Sequence, residues 1–148
     1  MSSYTKILYQ IIFSPKNREP ILLQPDRETL YKYIHGILKN KNCKVYCING
    51  VEDHLHIVAD IHPSIAVATL VKDIKLASTS LIKSTGILKG FNGWQDGYAA
   101  FTYGIEELNR LIEYVKNQEE HHRKKTFKEE YREILIERGV EFEEKYLF

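Results

Sequence analysis

Residues 43–61, "CKVYCINGVEDHLHIVADI", read as two short strands joined by a tight turn, and the second of them sets the two faces of a sheet. Alternate side chains of a strand point to opposite faces. Leu55, Ile57, Ala59 and Ile61 therefore form one apolar face that packs against helices, while His54, His56, Val58 and Asp60 share the other. The spacing predicts that both imidazoles look away from the helix-packed core. The "NGVED" segment closes the two strands as a hairpin, which makes the sheet antiparallel.

The flanking sequence extends this unit in both directions. Upstream, "YTKILYQIIF" (4–13) is rich in aromatic and β-branched residues and reads as a strand, broken by the two prolines of "SPKNREP". "QPDRETLYKYIHGILKNKN" follows as a helix with Asp26 as N-cap and Leu30, Ile34, Ile37 and Leu38 on one side. Downstream, a helix starting near Pro63 carries Val67, Leu70, Val71, Ile74, Leu81 and Ile82 at helical spacing and ends near Gly86. The glycine-rich "GILKGFNGWQDG" reads as a loop, "YAAFTY" (98–103) as a fourth strand, and residues 105–122 and 127–138 as two more helices, the last stopped by Gly139.

The order βαββαβ followed by αα predicts an α+β fold of ferredoxin/RRM-like type. A four-stranded antiparallel sheet carries two helices on one face, with extra C-terminal helices, and leaves the other face open for a site. RNA-recognition modules share this plan, so architecture alone fits both a binder and an enzyme.

With 148 residues, 43% of them hydrophobic, the chain is expected to form one domain, 1–148. The 21 basic side chains against 20 acidic ones give a net charge of +1, which excludes a global basic field and makes any phosphate-binding surface a local one. Cys43 and Cys47, four apart on a strand, are separated by about 13 Å, beyond disulfide reach. Reduced thiols, the absence of an apolar signal region and of any run approaching about 20 apolar residues lead to the expectation of a cytoplasmic protein with no membrane partner.

Imidazoles two apart on one strand face lie about 6.5–7 Å apart at Cα and can reach one metal ion, although exposed strand histidines give the same pattern. A third ligand is available downstream. Tyr114 and Gln118 are four apart on a helix and border the apolar stripe of Leu108, Leu111, Ile112 and Val115, positions that equally suit a boundary tyrosine with a solvated neighbour. His121 and His122, followed by "RKK", read as a helix-end cap and are left outside the metal shell. Asp60 reads as a supporting or surface group.

The His54-Leu55-His56 motif with Tyr114-x-x-x-Gln118 resembles the IS200/IS605-like single-tyrosine transposases of the HUH nuclease superfamily. Further segments carry the likeness in the same order: "IIFSPKNREPIL", "GVEDHLHIV", "WQDGYAAFTY", "YVKNQEEHHRKKTFKEEY" and "GVEFEEKYLF". The resemblance implies His54, His56 and Gln118 as metal ligands and Tyr114 as the nucleophile. Gln10, where many relatives carry a histidine, is not counted as a ligand, and "YAAFTYG" departs from the usual glycine and serine pattern.

What the resemblance implies chemically is attack of a tyrosine on single-stranded DNA at hairpin-flanked element ends, giving a 5′-phosphotyrosine, with Mg²⁺ or Mn²⁺ as cofactor and a homodimer as the working unit. Neutral imidazole and amide ligands would leave the cation's charge available to the phosphate. Candidate DNA contacts are Lys72, Lys75, Lys83, Lys89, Arg123, Lys124 and Lys125, with Phe91, Trp94 and Tyr98 able to stack on bases. The competing reading is a catalytically silent or host-domesticated ferredoxin-like protein that binds nucleic acid at palindromic repeats.

Overall fold

In a computed structural model, residues 3–147 are described. Four strands, β1 (Leu8–Phe13), β2 (Lys44–Val51), β3 (His54–Asp60) and β4 (Ala99–Tyr103), pair antiparallel in the order β2-β3-β1-β4. Helix α1 (Asp26–Asn40) and helix α2 (Val67–Thr85) make the two crossovers. The α+β, ferredoxin-like plan expected from the sequence is the one observed.

One sheet face packs on α1 and α2. Ile11, Phe13, Leu55, Ile57, Ala59 and Ile61 meet Leu30, Ile34 and Leu38 of α1 and Leu70, Val71, Ile74 and Ile82 of α2 in a single buried cluster. Helix α2 begins at Val67 rather than near Pro63, because "HPSI" is taken up by a turn in which Ser64 hydrogen-bonds the His62 ring. Gly86 ends it in the left-handed conformation, φ 73°, as its position suggests. Asp26 is not the N-cap of α1. It is the first helical residue, and its carboxylate instead accepts from the Leu88 amide, tying the glycine-rich loop to α1.

The other sheet face is not open. Helices α3 (Leu108–Lys116), α4 (Gln118–His121) and α5 (Phe127–Glu137) cover it. Leu8, Cys47 and Val58 pack against Leu108, Leu111 and Val115, while Ile12, Ala99 and Phe101 pack against Phe127 and Leu135. The alternation put His54 and His56 on the correct face but not in the correct environment, since both are fully buried. Apolar residues of β1, β3 and β4 share that face and need cover, and the C-terminal helices supply it.

The hairpin differs from its expected form in two ways. The turn is Glu52–Asp53, with Asn49 and Gly50 inside β2, Gly50 opposite Leu55 and Val51 opposite His54. A β-bulge between Val45 and Cys47 also shifts the register, so Val45 pairs with Ala59 but Cys47 with Val58. One extra residue inverts the face of everything beyond it. Asn49 thereby comes to lie opposite His56, on the histidine side. Cys43 and Cys47 end in different clusters on opposite faces and both are free thiols, as expected.

Gly50 holds the hairpin at its closest approach. A β-carbon there would sit 2.7 Å from Leu55 Cα and press on the His54 carbonyl oxygen, both backbone atoms unable to yield. Gly50→Ala is expected to cost about 2–4 kcal/mol in urea unfolding. A loss under about 0.5 kcal/mol would mean that the hairpin is looser than described.

Candidate active site

Two strands and three helices bring one polar cluster together under the C-terminal cover. His54 and His56 project from β3, Gln10 from β1, Gln118 from the first turn of α4, His122 from just beyond it and Glu130 from α5. Glu130 Oε1 is the shared point, 3.2 Å from His54 Nε2, 3.4 Å from His56 Nε2 and 3.2 Å from His122 Nε2. Gln118 Oε1 lies 3.0 Å from His54 Nε2, and Gln118 Nε2 donates to Glu130 Oε2 at 3.0 Å. The Tyr114 hydroxyl donates to that same Glu130 Oε2.

Local structure explains how Tyr114 and Gln118 reach the cluster. The expected single helix over 105–122 is interrupted: a 3-10 turn at Ile105–Glu107 precedes α3, and α3 ends at Lys116. Asn49 is the cause of that end, since its side-chain amide donates to the carbonyls of both Val115 and Lys116 at 3.0 Å. The chain restarts as α4, pinned through Glu119 to the buried Arg27 at 3.1 Å. Helix α5 starts at Thr126, whose hydroxyl accepts from the Glu129 amide. Its first residue, Phe127, stacks flat on the His54 ring at 3.9 Å.

Burial and charge fix the protonation pattern. His54 Nδ1–H donates to Asp53 Oδ1 at 2.8 Å, and its Nε2 faces the oxygens of Gln118 and Glu130, so the ring is set up to carry two protons. Burial alone would lower the His54 pKa, but Asp53 and Glu130 outweigh it and the net shift is upward. His56 goes the other way, its pKa lowered chiefly by burial. Burial would raise the Glu130 pKa, yet the hydrogen bonds from His122 and His54, together with the nearby His56 ring, drive it well below the usual carboxylate range. Tyr114 is pushed up, first by burial and then by the Glu130 charge beside it.

The donor set suits a divalent cation. Ligand atoms about 2.1 Å from one ion are separated from each other by about 3.0–3.4 Å, and the nitrogen–oxygen distances here are 3.0, 3.2, 3.2 and 3.4 Å. His56 Nε2 is buried and makes no hydrogen bond among the described residues, 3.4 Å from Glu130 being too long. Orphaned buried nitrogen of this kind is uncommon without a partner to come. Among the His, Cys, Asp and Glu side chains of the described residues, His54, His122 and Glu130 form a group whose ligand atoms all lie within 4.8 Å of one another, a group that does not include His56.

The sequence reading had His54, His56 and Gln118 as ligands and Tyr114 as nucleophile, and the structure assembles these four within one chain, the Tyr114 and His56 ring centres 6.1 Å apart. It missed Glu130 and set His122 aside. The signal for Glu130 was present: it lies three residues after Phe127 and four before Ile134, on the buried side of α5, where an unpaired carboxylate is costly.

A cavity of about 410 Å³ opens beside Tyr114, lined among others by Tyr103, His122, Glu130, Lys124 and Arg138. Lys124 and Lys125 border it, and Arg123 is exposed nearby, paired with Glu120. The other expected DNA contacts lie elsewhere. Lys72 and Lys83 are exposed on α2, across the sheet from the histidines, with Lys89 in the loop beyond it. Lys75 donates to the carbonyls of Gln95 and Gly97 and sits over Phe13, so it braces the loop. Trp94 packs edge-on between Phe13 and Phe91 and donates to Ser78, whereas Tyr98 remains exposed. Asp60 accepts from the Ile7 amide and pairs with Lys6, away from the cluster.

Residues 3–118 match the family described as IS200-like transposases, a span that includes His54, His56, Tyr114 and Gln118. The chain belongs to that family. A relative, the transposase of insertion sequence element IS200 from Salmonella typhimurium, is 25% identical over 115 residues, 74% of this chain and 75% of its own length. The Salmonella typhi transposase for the same element matches equally. Among solved structures, a transposase candidate from Deinococcus radiodurans R1 superposes with a TM-score of 0.63 at 21% identity, over 80% of this chain and 95% of its own. A REP-associated tyrosine transposase bound to a REP hairpin gives 0.62 at 17% identity, over 82% and 74%. These likenesses establish the fold of this IS200-like transposase. No described helix is long and apolar enough to cross a membrane.

Proposed function

We propose that this IS200-like transposase cleaves and rejoins single-stranded DNA at hairpin-flanked ends, with Tyr114 as nucleophile and a divalent cation, Mg²⁺ or Mn²⁺, held by His54, His56 and Gln118. The carrying observation is that the Tyr114 hydroxyl and the two strand histidines converge on one carboxylate, Glu130, in a single chain. Glu130 and His122 are additional ligand candidates from the same cluster. The hairpin-bound relative of the same fold supports a hairpin substrate, and the free buried thiols suit a reducing cytoplasm.

In the step proposed, the Tyr114 oxygen forms a bond to phosphorus, the bond from phosphorus to the 3′-oxygen breaks, and a proton ends on the released 3′-hydroxyl. Glu130 Oε2 holds the phenolic proton and aims the oxygen. Asp53 fixes the His54 ring with its Nδ1 occupied, leaving Nε2 toward the centre, and Phe127 holds that ring flat. Gln118 can be oriented only one way, because its NH₂ must face the Glu130 carboxylate, so its oxygen faces His54. When bound, the cation would offset the Glu130 charge that raises the Tyr114 pKa and would polarise a phosphate oxygen. The phenolate is a better leaving group than an alkoxide, so the covalent link remains open to attack by a 3′-hydroxyl. A homodimer would supply two such centres for two DNA ends.

The test is incubation with Mn²⁺ and stem-loop single-stranded oligonucleotides taken from palindromes flanking the gene, read on a denaturing gel. A covalent protein–DNA band that disappears with EDTA is expected. Hairpin binding without a band in any metal would leave a nucleic-acid-binding protein in place of the enzyme.

A further inference from the structure

The two strand histidines receive different support on their far nitrogens. His54 Nδ1 faces a carboxylate, Asp53, which only accepts, so its proton position is fixed. His56 Nδ1 faces the side-chain amide of Gln10, with Gln10 Nε2 2.9 Å away. An amide can present either its NH₂ or its oxygen within the same envelope, and the choice is set by its partners.

For Gln10 those partners leave the choice open. Gln10 lies between β3 and β4 on the histidine face, paired with Val58 on one side and Phe101 on the other, and so diagonal to both His56 and Tyr103. The Tyr103 hydroxyl donates to Gln10 Oε1 at 2.7 Å. In this arrangement the NH₂ donates to His56 Nδ1, which places the His56 proton on Nε2, pointing toward Glu130. A nitrogen that carries a proton has no lone pair for a metal ion. Both neighbours of Gln10 can reverse roles, since a hydroxyl and an imidazole each donate or accept. Gln118 has no such freedom against a carboxylate.

We infer that Gln10 is a positioning residue for the metal centre: by turning its amide over, it offers His56 Nδ1 an acceptor in place of a donor and so moves the His56 proton off the nitrogen that faces Glu130. The turned amide then donates to the Tyr103 oxygen, and the Tyr103 hydroxyl proton swings toward the cavity that Tyr103 lines. Only Gln10 Oε1 and Nε2 exchange places, and the His56 ring and the Tyr103 oxygen stay where they are. The Arg138 guanidinium, 3.9 Å above the Tyr103 ring, holds the ring while its hydroxyl rotates. His56, Gln10 and Tyr103 thus connect the centre to the cavity wall through one exchange of hydrogen-bond direction.

This inference rests on the proposed metal site, and its test separates the two. Nitrogen-15 NMR of histidine-labelled wild type reports the His56 tautomer directly. The metal-free protein is expected to carry the proton on Nε2, and protein saturated with Mg²⁺ on Nδ1. A carboxylate at position 10 presets the acceptor, so Gln10→Glu is expected to show Nδ1–H already without metal and to bind Mn²⁺ at least about tenfold more tightly by calorimetric titration. A His56 proton on Nδ1 in metal-free wild type, or a bound cation with the proton unmoved, overturns the role of Gln10 while leaving the metal site standing. Wild type that binds neither Mn²⁺ nor Mg²⁺ overturns the metal site and the coupled turn of Gln10 with it.

Discussion

With phenylalanine at position 114, no covalent protein–DNA adduct is expected, and strand cleavage should fall by about 10⁴-fold or more, the scale on which removing a nucleophile acts. The substitution is mild for the fold. The ring keeps its contacts with His56 at 6.1 Å and His121 at 4.7 Å, and Glu130 Oε2 keeps its bond from Gln118. Folding stability should drop by no more than about 1.5–3 kcal/mol, the value of one hydrogen bond to a charged group, and Mn²⁺ affinity should hold. Loss of the adduct with metal binding intact therefore isolates the phenolic oxygen. An adduct that persists in Tyr114→Phe would refute the assignment and direct attention to Tyr103, whose side chain lines the same cavity.

Replacing Glu130 with leucine acts on everything at once. It leaves the Tyr114 hydroxyl, the Gln118 amide and His122 without their acceptor and removes the counter-charge from His54. Breaking a buried charge pair by deleting one partner costs about 3–5 kcal/mol, and that loss is expected here in urea at pH 6. The pH dependence follows from the two shifts. Glu130 has a folded pKa below its unfolded value, so its contribution is present above about pH 4.3 and fades as pH falls through the folded value. His54 has a raised folded pKa, so its contribution is complete below about pH 6.5 and fades as pH rises through the folded value. The difference between wild type and Glu130→Leu should peak between these limits and shrink on either side. A difference constant from pH 4 to 9 would show that the carboxylate serves only as packing.

The sheet and its helices were readable because their residues repeat at the periods of strand and helix: Leu55, Ile57, Ala59 and Ile61 on one side of β3, and Leu30, Ile34 and Leu38 along α1. The bulge after Val45 was not, since an extra strand residue leaves both flanking stretches individually regular, although Val45 and Ile48, three apart and both against the helices, break the alternation. The interruption of the third helix was hidden for a related reason. Asn49, sixty-six residues from Val115 in sequence, supplies the hydrogen bonds that end it, and local propensity does not register a distant cap. His54, His56, Tyr114 and Gln118 could be named because they form short motifs. Glu130 belongs to none, and its role arises only where α5 folds back over the sheet.

That return of α5 has a consequence for how the protein can vary. The span shared with the IS200-like family stops at Gln118, twelve positions short of the carboxylate that joins imidazoles to phenol. A tail exchanged between relatives would carry its own charge into an otherwise unchanged set of proposed ligands and nucleophile. Tyr114, whose pKa is raised first by burial and then by the Glu130 charge, thus takes part of its surroundings from a segment outside the shared span, much as a removable plug completes a fixed circuit.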